Sequence, residues 1–114
     1  MRALVCHKLS EDFSGAEIRD VAPPVPAPGE VLIKVRATSI NFPDLLLCQG
    51  KYQLKLEPPF TPGMDIAGTV DAIGDGVTAF ALGDEVCGGA RFGGFAEYAI
   101  VQADGLQKKP DNLS

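Results

Sequence analysis

The stretch Pro62-Gly63-Met64-Asp65-Ile66-Ala67-Gly68-Thr69-Val70 decides how this sequence folds. A Pro-Gly turn opens it, and the apolar residues that follow predict a strand over Asp65–Ile73. Gly68 lies inside that strand, where glycine is unfavourable, and therefore predicts the close approach of another backbone or of a cofactor. Four further glycines are expected in turns at positive φ, which costs other residues a steric penalty: Gly63, Gly74, Gly76 and Gly83.

The clearest strand pattern precedes this stretch. From Glu30 to Ile40, apolar residues alternate with Lys34, Arg36 and Thr38, and this predicts one apolar face at period two. That face comprises Val31, Ile33, Val35 and Ala37. Shorter strands, with a hairpin joining the first two, are expected over Arg2–Cys6, Glu17–Val21, Val86–Cys87, Gly94–Val101 and Leu106–Lys108.

One short helix is expected after the alternating strand. Asn41 or Asp44 can cap it, Pro43 suits its first turn, and Gly50 closes it. Frequent strands with Gly and Pro corners predict a mainly β fold, a partly open β-barrel with one or two short helices. No Gly-x-Gly-x-x-Gly follows a strand, so these residues lack a dinucleotide-binding fingerprint of their own.

The composition narrows the functional classes. The 114 residues are about one domain, and 46% hydrophobic residues allow a core. A net charge of −5 disfavours nucleic acid and anionic membranes as partners, and no apolar run is long enough to span a membrane. The three cysteines, Cys6, Cys48 and Cys87, are widely spaced and odd in number, which favours reduced, buried thiols and a cytoplasmic location.

A family resemblance adds to this interpretation. The pattern Pro-Gly-x-Asp-x-x-Gly-x-Val from Pro62, then Gly83-Asp84-x-Val86 and Gly94-Phe95-Ala96-Glu97-Tyr98, resembles the N-terminal GroES-like domain of medium-chain dehydrogenase/reductases, specifically the zinc-independent quinone oxidoreductases. The resemblance covers nearly the whole chain. It implies one GroES-like catalytic domain over residues 1–114, with an NADPH-binding Rossmann domain expected after Ser114 and absent from this chain.

The resemblance also implies a site. Zinc-dependent relatives carry Cys at the position of Asn41 and His at that of Met64; an amide and a thioether are poor substitutes, so no catalytic zinc is expected. It implies catalytic roles for Tyr52, Asn41 and Asp44, with Tyr52 as a neutral O–H donor. The residues implied to contact NADPH are Asn41, Phe42, Pro43, Asp44, Leu45, Leu46 and Met64.

Each assignment has a structural alternative. Asn41 can simply cap the helix, Asp44 can simply sit in its first turn, and Tyr52 can pack with a wet hydroxyl. Asp65 can line the cavity floor or anchor its strand by accepting backbone hydrogen bonds.

The resemblance implies a protein that passes hydride from NADPH to a quinone or enone and forms a homodimer when full length. The isolated 114 residues are expected to be inactive. Two alternatives stay open: a 2-enoyl thioester or alkenal reductase, because those relatives also carry Asn-x-x-Asp followed by Gly-x-Tyr, and an autonomous GroES-like binding module.

Overall fold

The alternating apolar residues form strands, and glycine and proline residues lie in the turns between them, as the sequence predicts. The structure is a computed structural model that describes residues 1–10, 12–51, 57–89 and 92–108. Its elements are β1 (Arg2–Cys6), β2 (Ala16–Asp20), β3 (Glu30–Ser39), α1 (Phe42–Gln49), β4 (Asp65–Ile73), β5 (Glu85–Gly89), β6 (Tyr98–Gln102), a 3-10 turn (Ala103–Gly105) and β7 (Leu106–Lys108).

The described strands form two antiparallel sheets. β1 and β2 make a hairpin, and the larger sheet has the order β6-β3-β4-β5-β7. Isolated bridges from Ala3 to Ala96 and from Cys6 to Phe60 tie the hairpin to the rest of the chain. The predicted mainly β fold is confirmed.

Most predicted strand positions are confirmed, but one strand starts later than expected. The strand predicted over Gly94–Val101 begins only at Tyr98. The backbone before it is engaged elsewhere: the Gly94 N–H donates to Gly63 and the Phe95 N–H to Pro62, at 3.0 and 2.9 Å. The strand predicted at Val86–Cys87 is longer than expected and spans Glu85–Gly89.

The main core lies on one face of the larger sheet. Val31 and Ile33 are fully buried and Val35 is partly buried, as the period-two pattern predicts. Ala37 was predicted to share this apolar face but is exposed. The pairing of β3 with β4 shifts between Val35 and Ala37, and such a bulge turns later side chains away from the original face. The buried members of this cluster are Val31, Ile33, Ile66, Val70, Val86, Ala99, Val101 and Leu106.

Two glycines of the deciding stretch and its turn are required by close backbone contacts. A Cβ on Gly68 would lie 2.1 Å from the Lys34 carbonyl oxygen, which confirms the predicted approach of a neighbouring backbone. Gly74 was expected at positive φ, but it does not adopt that conformation. Its Cβ would instead lie 2.0 Å from the Ala27 carbonyl oxygen, so the lack of a side chain is what the position needs.

A second, smaller cluster anchors α1. Its buried members are Cys6, Leu47, Cys48 and Phe60, with the partly buried Met64 packed against them. It joins β1, the helix and the segment before β4, and so fixes the helix beside the start of β4. No helix in the described ranges is long and apolar enough to cross a membrane.

Candidate functional site

The start of α1 is a structured helix terminus. Asn41 is the N-cap residue, with extended φ and ψ of −119° and 159°, and Pro43 lies in the first turn. Gly50 ends the helix in the left-handed region at φ 74°, where glycine carries no steric cost. The predicted short helix with Asn41 as cap and Gly50 as terminator is confirmed.

Asp44 is buried beneath this terminus. Its side chain is 1% exposed, and Oδ2 accepts a hydrogen bond from the Asn41 N–H at 2.9 Å. The two residues form a capping box, and the Asp44 N–H also lies 3.0 Å from the Asn41 backbone oxygen. The other carboxylate oxygen, Oδ1, is buried and has no hydrogen-bond partner. Asp44 therefore contributes to the geometry of the helix start.

Asn41 also belongs to a polar cluster across the ends of two strands. Its Nδ2 donates to Asp65 Oδ2 at 2.8 Å and to Ser39 Oγ at 3.1 Å. The Ser39 hydroxyl donates to the same Asp65 oxygen at 3.4 Å, and the Thr38 hydroxyl donates to the Asp65 carbonyl at 2.7 Å. We name Ser39, Asn41 and Asp65 the amide cluster.

Exposed apolar side chains surround the amide cluster. Ile40 is 73% exposed and Phe42 70% exposed, and Leu45 is exposed on the next turn of the helix. Pro43, Leu46 and Met64 are half-buried, and Met64 packs into the smaller core cluster. A fixed amide therefore lies among apolar side chains on an open surface, an arrangement suited to a flat ring with a polar edge.

Two concave surfaces are found among the described residues. One, of about 380 Å³, is bordered by β1, β2 and the Phe95–Glu97 segment. The other, of about 720 Å³, lies beside β6 and the 3-10 turn. Ser39, Asn41 and Asp65 line neither of these two surfaces, although Gly89, which lines the larger one, pairs with Asp65.

The thiol behind the helix start is not activated. Burial raises the pKa of Cys48 to about 11, and the neighbouring Cys6 and Asp44 add to the rise. A high pKa keeps the thiol protonated near neutral pH, and a protonated thiol is a poor nucleophile. Cys6 and Cys48 are buried as predicted, whereas Cys87 is exposed and contradicts its predicted burial.

Comparison with known proteins assigns this architecture. The family model of the alcohol dehydrogenase GroES-like domain matches residues 27–111. The chain belongs to this family. It is 41% identical over 118 aligned residues to the quinone oxidoreductase of Lama guanicoe, with 99% of this chain and 34% of that protein covered.

Solved structures agree with this membership of the medium-chain dehydrogenase/reductases. The human synaptic vesicle membrane protein VAT-1 homolog-like protein superposes with a TM-score of 0.93 at 32% identity, covering 100% of this chain and 37% of that one. The quinone oxidoreductase from Thermus thermophilus, solved also in complex with NADPH, has a TM-score of 0.81 at 32% identity, covering 100% and 34%. The chain spans about a third of the length of these relatives.

The donor atoms at the amide cluster do not fit the zinc site of the zinc-dependent members of the family. Asn41 turns its amide nitrogen, which carries no free lone pair, toward Asp65, and the Met64 thioether is a weak ligand for zinc. Among the described residues, no group of three or more His, Cys, Asp or Glu side chains could hold a metal ion. The absence of a catalytic zinc stays a prediction that this donor set favours.

The structure brings together most of the predicted site residues but not all. Six of them lie at the start of α1: Asn41, Phe42, Pro43, Asp44, Leu45 and Leu46. Met64 packs against the buried cluster that contains Leu47 and Cys48 of the same helix. Tyr52, the predicted O–H donor, lies outside the described residues. Ser39 was not predicted. Asp65 was expected either to line the cavity floor or to anchor its strand by accepting backbone hydrogen bonds; its Oδ2 accepts from the side chains of Asn41 and Ser39. The proximity of Ser39 in sequence to Asn41 was the available signal.

Proposed function

We propose that this chain is the N-terminal cleft domain of an NADPH-dependent, zinc-independent quinone oxidoreductase. In this proposal residues 1–114 form the GroES-like catalytic domain, and a Rossmann domain following them binds most of the cofactor. The full-length protein is then a cytoplasmic homodimer. Identities near 40% to quinone oxidoreductases, and a relative solved in complex with NADPH, support the proposal.

One observation carries it: the fixed amide of Asn41 on an open apolar surface. Both N–H bonds of the amide are engaged within the chain, while Ile40 and Phe42 expose apolar surface beside it. An apolar surface with one oriented polar group suits the nicotinamide ring and a flat acceptor stacked on it. In this proposal the amide cluster forms one wall of the cleft, and the second domain closes it.

The residues divide by role in this proposal. Asn41 and Met64, with the helix backbone over residues 42–46, hold the nicotinamide end, and the buried Asp44 keeps the helix start in place. Bound NADPH supplies the hydride. The Tyr52 hydroxyl would donate a hydrogen bond to the acceptor oxygen, where negative charge would develop. The proton that completes the hydroquinone would pass from this hydroxyl, which solvent would then reprotonate.

Enzyme assays test the proposal on the full-length protein. We expect the full-length protein to oxidise NADPH in the presence of 1,4-benzoquinone. The loss of NADPH absorbance measures this reaction. Tyr52→Phe is expected to lower kcat at least about tenfold, since a positioned proton donor contributes 10²–10⁴-fold in typical enzymes. The 114-residue chain alone is expected to show no turnover. A full-length protein inactive with quinones overturns the proposal.

The sequence supports one second candidate, a 2-enoyl thioester reductase. Asn41-x-x-Asp44 followed by Gly50-x-Tyr52 also occurs in those relatives. The same assay with crotonyl thioester as acceptor distinguishes the two, because the preferred acceptor has the higher kcat/KM. An autonomous GroES-like module would instead assemble into a ring, which native mass spectrometry detects.

A further inference from the structure

The Asp65 carboxylate is the centre of the amide cluster. It begins β4, and in the pairing of β3 with β4 it stands directly opposite Ser39. Its Oδ2 accepts from both Asn41 Nδ2, at 2.8 Å, and Ser39 Oγ, at 3.4 Å. The side chain is exposed, so these two bonds do not serve to bury a charge. The two bonds instead restrict the orientations of the Asn41 and Ser39 side chains.

Asp65 determines which way round the Asn41 amide lies. An ionised carboxylate is an acceptor only, so the NH₂ end of the amide must face it. The second amide hydrogen is donated to Ser39 Oγ at 3.1 Å, so both hydrogens are used within the chain. The amide oxygen therefore points to the helix side. It has two lone pairs, and the Asp44 N–H of the capping box occupies at most one of them, so one acceptor position is left for a ligand.

We propose that Asp65 is a positioning residue that makes Asn41 a hydrogen-bond acceptor for its ligand. An acceptor at this place recognises a donor, such as the carboxamide NH₂ or a ribose hydroxyl of the nicotinamide nucleotide. It does not recognise a quinone carbonyl, which only accepts. The inference rests on the proposed function and deepens it, because it assigns Asn41 to the cofactor and leaves the acceptor oxygen to other donors.

The first test needs no cofactor. In full-length protein with isotope-labelled asparagine, the side-chain NH₂ signals of Asn41 report the hydrogen bonds that this amide donates to Asp65 and Ser39. Asp65→Asn is expected to shift these signals, because an uncharged amide no longer dictates the orientation of its partner. Asp71→Asn, an exposed carboxylate on the same strand, is the matched control and is expected to leave the signals unchanged. Signals of Asn41 that are indifferent to Asp65→Asn overturn the inference.

The second test measures the affinity for NADPH. Asp65→Asn is expected to raise the Kd and the KM for NADPH about tenfold while kcat changes little, since a hydrogen bond to a charged group contributes on that order. The melting temperature is expected to stay unchanged because the side chain is exposed. Asp71→Asn is expected to bind NADPH as the wild type does.

A double-mutant cycle shows whether Asp65 acts through Asn41. In an Asn41→Ala background, Asp65→Asn is expected to have no further effect on the Kd for NADPH. Additive losses overturn the inference, as does an Asp65→Asn variant that binds NADPH as tightly as the wild type. A wild-type protein that binds no NADPH overturns the proposed function as well. The two failures can be told apart, because this one is seen in the wild type, whereas failure of the inference alone is seen only in the variants.

Discussion

The strand pair β3–β4 has two ends with opposite chemistry. At one end, Val31 and Ile33 of β3 and Val70 of β4 are buried in the main core; we name these three residues the core end. At the other, Thr38 and Ser39 face Asp65 and are exposed. We name these three the site end.

The difference between the two ends shows how one element serves two purposes. Packing at the core end fixes both strands, because dense interiors tolerate little displacement. Because the site end lies on the same two strands, its residues are held in place as well, although their side chains are exposed and accessible to a ligand. A β-bulge between Val35 and Ala37 separates the two regimes.

The largest expected effect on stability comes from a substitution in the core end. Ile33→Ala is expected to lower the free energy of unfolding by about 2–5 kcal/mol, because it removes a fully buried side chain and leaves a cavity. Ile40→Ala is the matched control: the same residue type, largely exposed and one residue beyond β3, is expected to cost about 0.5 kcal/mol or less. Urea denaturation measures both. Equal losses would contradict the division of the strand pair.

The sequence predicted the core end better than the site end. Alternation along Glu30–Ile40 reports burial directly, so Val31 and Ile33 were placed correctly. The N-cap Asn41 and the terminator Gly50 are likewise local signals. Ala37 was misplaced because a bulge has no signature in the alternating pattern.

The site end depends on a contact that no local pattern encodes. Ser39 and Asp65 are 26 residues apart, and they meet only because the register of β3 on β4 includes two irregularities. A shift of one residue would turn Ser39 to the other face. The sequence could therefore suggest Asn41 and Asp65 as site residues, but not that their side chains are hydrogen-bonded to each other.

A second variant probes the contact between the two ends. Gly68 pairs with Val35 beside the bulge, and a Cβ there would lie 2.1 Å from the Lys34 carbonyl oxygen. Gly68→Ala is expected to cost about 1–3 kcal/mol, the usual range for overpacking. Gly89→Ala on β5 is the control, since its Cβ would meet its nearest atom at an ordinary 3.6 Å. A Gly68→Ala variant as stable as Gly89→Ala would show that the strands can separate there without loss.

The smallest expected effect concerns two thiols, one on α1 and one on β5. Cys48 lies behind the site end on α1 and is buried, whereas Cys87 on β5 is exposed. Iodoacetamide near neutral pH is expected to modify Cys87 first and Cys48 only after unfolding, because Cys87 is exposed, whereas Cys48 is buried and its raised pKa keeps the thiol protonated. Peptide mass spectrometry follows the two sites. Equal rates would mean that the helix opens readily.

The raised pKa of Cys48 also gives stability a dependence on pH. In the unfolded chain the thiol ionises near its ordinary value of 9.0, whereas in the fold it stays protonated until about 11. The folded state binds more protons in that interval, so the contribution of Cys48 is fully present below 9.0 and is lost as pH rises toward about 11. Cys48→Ala is expected to flatten this decline relative to the wild type, measured by urea denaturation across the interval, since other titrating groups are common to both proteins. A decline of the same slope in the variant would assign it to those other groups.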